Sequence, residues 1–243
     1  MTSRIAVLAS GGGTNLQAVL DHLDALGDDR AGDVVVVASD RRDAGALVRA
    51  AAHGVPSAII ETGAPTPGAR SLDAVLDEHR VDLIALAGYL RLVPADTVDR
   101  FRGRIVNVHP ALLPAFGGPG MYGARVHQAV LDAGATVSGV TVHFVDQAYD
   151  RGPMIAQWPV PVLAGDTAAS LAIRVLRVEH ILYPIAVNAV AGGRVSLAAD
   201  GSVRRARSGA ATRPAGAGDD WAFCLSASAG PRLASEISRA IGA

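Results

Sequence analysis

The stretch Ile5-Ala6-Val7-Leu8-Ala9-Ser10-Gly11-Gly12-Gly13-Thr14-Asn15-Leu16 joins a short apolar run to a glycine-rich loop. A segment rich in Ala and Leu, residues 16–26, follows at once and reads as a helix. An apolar strand that passes through glycines into a helix is the first unit of a strand–helix–strand fold. The alternation continues, with strands expected at 34–38, 57–60, 83–87 and 105–108. Helices are expected at 44–53 and 71–79. The strands are continuous apolar runs, the pattern of strands covered on both faces. A doubly wound α/β sheet, mostly parallel, is therefore expected, with its ligands outside the carboxyl ends of the strands.

The pattern changes after about residue 135. Residues 136–145 alternate and 155–163 are extended, which predicts antiparallel strands that extend the sheet. A helix over 167–190 follows, opened by Asp166-Thr167, with Leu171, Val175, Val178 and Leu182 on one face. Residues 196–203, with the turn pair Asp200-Gly201, read as a closing hairpin. This gives one domain over 1–203 and a tail over 204–243. Residues 208–220 are rich in Gly, Ala, Pro and Thr, so the tail reads as linker-like or partly disordered. Leu233, Ile237 and Ile241 make an apolar stripe to which the sequence assigns no use.

Composition narrows the class of function. The net charge of −1 gives no reason to expect nucleic acid or an anionic membrane as partner. Cys224 is the one cysteine, which excludes an internal disulfide and a thiolate metal cluster, and no metal is expected. The first apolar run is too short for a signal-peptide core and Gly11 breaks it. There is no apolar run of about 18 residues. A soluble cytoplasmic protein is expected, a monomer or homodimer acting on small molecules.

Two places have the residues for chemistry. In the first loop, Gly12 and Gly13 let the backbone approach a ligand, while Thr14 and Asn15 add donors at a helix start that attracts anions. A plain tight turn is the alternative. Leu16 stands three positions beyond Gly13, so a dinucleotide glycine pattern fails. A single phosphate monoester fits better. At the end of the 105–108 strand, Asn107 and His109 are two apart and share one face. An amide donor and an imidazole there can converge on a developing oxyanion. Asp150, after a later strand, would orient His109 and favour its imidazolium. Singly, each residue has an ordinary structural explanation; together they supply acid, donor and orienter.

Asn107-Val108-His109-Pro110-Ala111-Leu112-Leu113-Pro114, Thr141-Val142-His143-Phe144-Val145 and Asp150-Arg151-Gly152-Pro153 resemble the folate-dependent formyltransferases. Gly12 to Ala18, Ala87 to Leu92 and Arg174-Val175 through Glu179-His180 narrow the resemblance to the purine-pathway branch. The resemblance implies a Rossmann-like fold and formyl transfer from 10-formyltetrahydrofolate to the amine of a phosphorylated substrate. It implies a catalytic trio of Asn107, His109 and Asp150. Gly12, Gly13, Thr14 and Asn15 would hold the phosphate, and Glu179 would lie near the ribose. Leu90, Arg91, Leu92, Val93, Val145, Asp146 and Asp150 would line the folate pocket. The segment 115–123 is longer and richer in glycine than the common Pro-Gly-x-His form. Arg125 replaces a frequent histidine, while His127 and His143 are kept. Residues 63–71 are altered where relatives place an arginine near the phosphate, for which Arg70 is the substitute. Another small amine as acceptor, or a non-catalytic phosphate-binding relative, are the alternatives at this stage.

Overall fold

Runs rich in Val and Ile form the strands and Ala/Leu-rich segments form the helices, following their side-chain preferences. The computed structural model describes residues 2–61, 68–206 and 231–242. Five strands pair in parallel: β1 (Ser3–Leu8), β2 (Gly32–Ser39), β3 (Ser57–Ile59), β4 (Leu83–Leu86) and β5 (Ile105–His109). β6 (Val137–Phe144) and β7 (Met154–Pro161) extend the same sheet antiparallel. The order is β3-β2-β1-β4-β5-β6-β7. It reverses between β1 and β4, so the carboxyl ends of β1, β4 and β5 frame a crevice. The expected doubly wound sheet with its antiparallel extension is the observed fold.

Helices α1 (Thr14–Leu26), α2 (Gly45–Ala52), α3 (Leu72–Glu78) and α6 (Ala168–Ala191) fall where the sequence places them. Two helices were not anticipated, α4 (Ala95–Arg100) and α5 (Ala124–Asp132). Both are short, and α5 follows a glycine-rich segment that masks its start. The strands are covered on both faces. Ile5 and Val7 of β1 face a core shared with α1, α5 and α6, while Ala6 and Leu8 face a second core with α3 and α4. Tyr183 of α6, fully buried, shares its one hydroxyl hydrogen between the carbonyls of Leu86 (2.9 Å) and Val106 (3.2 Å). That ties α6 to the strand ends framing the crevice.

The predicted hairpin is present as β8 (Val195–Leu197) and β9 (Val203–Arg205). The Leu233–Ile237 stripe lies on α7 (Pro231–Ile241), and both side chains are buried in the α1/α5/α6 core. The Arg177 guanidinium donates to the Ala240 carbonyl at 3.2 Å, fixing the end of α7 to α6. Residues 208–220 and Cys224 lie outside the described residues. Among the described residues no helix is long and apolar enough to cross a membrane.

The β6–β7 connection folds back on β6. A Cβ on Gly152 would stand 1.8 Å from the Phe144 carbonyl oxygen, so only glycine fits. This tight return presents Asp150, itself in the left-handed region at φ 55°. Gly152→Ala is expected to cost about 2–3 kcal/mol, the upper range for overpacking. Urea unfolding of the two proteins measures it; an unchanged midpoint would mean the loop packs otherwise.

Candidate active site

The β5–β6 register assembles the centre. Asn107 pairs with His143 and His109 with Thr141 across antiparallel strands, so the four side chains share one face. Asn107 Nδ2 lies 3.1 Å from His143 Nε2, and His143 Nδ1 lies 2.8 Å from the Phe144 carbonyl. That carbonyl only accepts, so His143 carries its proton on Nδ1 and its Nε2 accepts from the Asn107 amide. The second Nδ2 hydrogen of Asn107 is left for a ligand. His109 Nε2 donates to the Phe116 carbonyl at 2.9 Å. Asp150 stands between the rings, Oδ2 3.6 Å from His109 Nδ1 and Oδ1 3.7 Å from His143 Nε2. The Gly118 N–H fixes the carboxylate at 2.9 Å. The long 115–123 segment therefore holds both His109 and Asp150 through its backbone.

A cavity of about 750 Å³ opens onto this centre and is lined by Asn107, His109 and Asp150. Leu90, Arg91, Leu92, Val93, Val145 and Asp146 line it as well. The Leu90 N–H donates to Ser10 Oγ at 3.0 Å, and Arg91 reaches Asp40 at 3.4 Å. Asn15 and Glu179 also line the cavity, and Asn15 Nδ2 donates to Glu179 Oε2 at 2.6 Å. The Asn15 side chain is thus turned to the expected ribose residue. Thr14 lies elsewhere, lining a neighbouring cavity of about 550 Å³ with Gln17, Arg49 and His180. Gly13 is left-handed at φ 74°, and a Cβ there would meet Ala46 Cα at 2.6 Å. Packing against α2 therefore already demands glycine. Arg70, the substitute proposed for the family's phosphate arginine, pairs with Glu78 of α3.

The formyl transferase family model matches residues 3–187. The chain belongs to the formyl transferase family. Phosphoribosylglycinamide formyltransferase of Arabidopsis thaliana, a chloroplastic protein, is 42% identical over 202 residues, covering 82% of this chain and 68% of the relative. The Vigna unguiculata counterpart is 42% identical over 201 residues, covering 82% of this chain, which spans 64% of that relative. The crystal structure of glycinamide ribonucleotide transformylase 1 from Symbiobacterium toebii is similar at 42% identity and a TM-score of 0.75. The match covers 84% of this chain and 94% of that one.

Electrostatics set the resting state of this formyl transferase site. Burial pushes the His109 pKa below its ordinary value of 6.5; Asp150 and the Phe116 carbonyl pull upward but do not reverse it. The sequence reading, in which Asp150 keeps the imidazolium populated, is corrected here: its influence has the expected sign, but burial is larger. Burial works against the Asp150 anion, yet the positive charge that the neighbouring His143 and His109 rings can carry and the Gly118 N–H hold its carboxyl below the usual range. Burial raises the Glu179 pKa against the Asn15 hydrogen bond. His143 and His127 were not selected from the sequence as site residues. For His143, the alternation Thr141-Val142-His143 was the signal, since it puts the ring on the face that Thr141 shares.

Removing the Asp150 charge takes away an upward pull and leaves burial. Asp150→Asn is expected to lower the His109 pKa further. NMR titration of the ring in both proteins measures this; an equal or higher value in the variant would contradict the geometry.

Proposed function

We propose that the chain transfers the formyl group of 10-formyltetrahydrofolate to the primary amine of phosphoribosylglycinamide. One observation carries the reading: Asn107, His109 and Asp150 meet at a cavity that is also lined by Leu90 to Val93, Val145 and Asp146 and by Asn15 and Glu179. The names of the similar proteins point to the same acceptor. Leu90, Arg91, Leu92, Val93, Val145 and Asp146 receive the folate. Glu179, held by Asn15, receives the ribose. Gly12, Gly13 and Thr14 receive the phosphate, where α1 begins without a side-chain cap or an acidic first turn. Arg49 stands beside them, donating Nε to the Gly12 carbonyl at 2.9 Å.

The neutral amine adds to the formyl carbon, and the carbonyl electrons move onto oxygen. Asn107 Nδ2–H and a ring N–H of His109 donate to that oxyanion. One such donor is worth ~3–4 kcal/mol in the transition state. The Phe116 carbonyl takes the Nε2–H of His109, while Asp150 stands 3.6 Å from Nδ1, beyond hydrogen-bond reach, so Nδ1–H of the protonated ring is the one free to meet the oxyanion. Burial opposes that charge until an oxyanion forms beside the ring and favours it. The ammonium proton passes through water, guided by Asp150, to the departing folate nitrogen as the C–N bond to folate breaks. Such proton transfer contributes about 10²–10⁴-fold.

Asn107→Ala and His109→Ala are each expected to lower kcat by ~10²–10³ with little change in binding, because both donors act on the transition state. Steady-state assay of folded variants decides it, and near-normal turnover would remove the residue from the mechanism. Thr14→Asp places a carboxylate against the phosphate. It is expected to raise KM for phosphoribosylglycinamide ~10-fold, about 1.4 kcal/mol, while folate affinity changes less than about twofold. Equal use of phosphorylated and dephosphorylated acceptors by the normal protein would overturn the phosphate assignment.

A further inference from the structure

His127 lies in the first turn of α5, on the cavity wall. It is 4% exposed, and its Nδ1 is closed to solvent without a hydrogen-bond partner. A buried N–H with no acceptor is costlier than a buried lone pair with no donor, so the ring's proton belongs on Nε2. Burial, and then the nearby His109, both disfavour a charged ring, which keeps His127 neutral near pH 7. Since Nδ1 is shut into the protein, Nε2–H is the donor that the ring can offer to the cavity.

The wall on which it stands identifies what it would meet. α5 packs on α6 and α6 on α1, and these helices share one core. That wall holds Asn15 and Glu179. Val93 and Val145, which also line the cavity, pack in the second core instead. His127 therefore belongs to the side of Asn15 and Glu179, the acceptor's side on the function proposed above, and it lines the same cavity as His109. In phosphoribosylglycinamide the group between ribose and amine is an amide. Its carbonyl oxygen is the partner that a neutral N–H donor matches.

We propose that His127 donates Nε2–H to the carbonyl adjoining the reacting amine and so selects amide-bearing acceptors over simple amines. This rests on the function proposed above. The test compares His127→Gln, whose amide nitrogen mimics Nε2, with His127→Asn and His127→Phe, which offer no donor there. KM for phosphoribosylglycinamide should rise about tenfold in the Asn and Phe variants and stay within about threefold in the Gln variant. KM for formyl-folate should be unchanged in all three, which also confirms folding. An acceptor with a methylene in place of the carbonyl should not distinguish the normal protein from His127→Phe. Nitrogen NMR of the free normal protein should show the Nε2–H tautomer. An unchanged acceptor KM in His127→Phe, a rise confined to formyl-folate, or an Nδ1–H tautomer would each overturn the proposal. If the normal protein does not formylate phosphoribosylglycinamide, the function falls first and this assignment with it.

Discussion

The register between β5 and β6 is the constraint on which the site depends. Asn107 opposite His143 and His109 opposite Thr141 put four polar side chains on one face at a strand end. A slip of one residue would turn them all to the other face. Thr141 then extends the order along the chain. Its hydroxyl donates to the Ala111 carbonyl (2.7 Å) and accepts from the Leu113 N–H (3.0 Å), pinning the segment that leaves β5. That segment returns Phe116 to His109 and Gly118 to Asp150. The extra length of the 115–123 loop is thus tied to the reacting groups rather than merely tolerated.

Burial of ionisable groups is the second theme. His109, His127 and Glu179 are all shifted toward their neutral forms by desolvation, while Asp150 keeps its charge through donors around it. Sites of catalysis concentrate such shifts, because a group close to its tipping point responds to charge appearing in the reaction. Tyr183 shows the structural counterpart: fully buried, it is satisfied by two carbonyls and links α6 to β4 and β5. Glu179 lies one helical turn before it, so the helix that locks the sheet also carries the carboxylate that lines the cavity beside Asn15.

Much of this was legible in the sequence. Continuous apolar runs broken by glycine announced the parallel strands, and the two-residue spacing of Asn107 and His109 announced their common face. Asp150 was readable as an orienter after a later strand, and the resemblance joined it to the pair; its approach depends on a loop return that only Gly152 permits. Strand register was not legible, so the contact of Asn107 with His143 was missed. α5 was hidden because its apolar side is only Val126 and Val130 among Arg, His and Gln, and His127 went with it. The net shift of His109 was also out of reach, since spacing shows a neighbouring charge but not the depth of burial. The Leu233–Ile237 stripe had the right period for a helix, but sequence could not show α6 as its partner.

The central claim is direct transfer of the one-carbon group at Asn107 and His109. Formyl-folate labelled with ¹³C at the formyl carbon, mixed with the protein and phosphoribosylglycinamide, follows that carbon by NMR. The label is expected in the formamide of the acceptor, in step with release of tetrahydrofolate. Intact mass measurement is expected to show no formylated protein. Label appearing as free formate, or held on the protein, would contradict it.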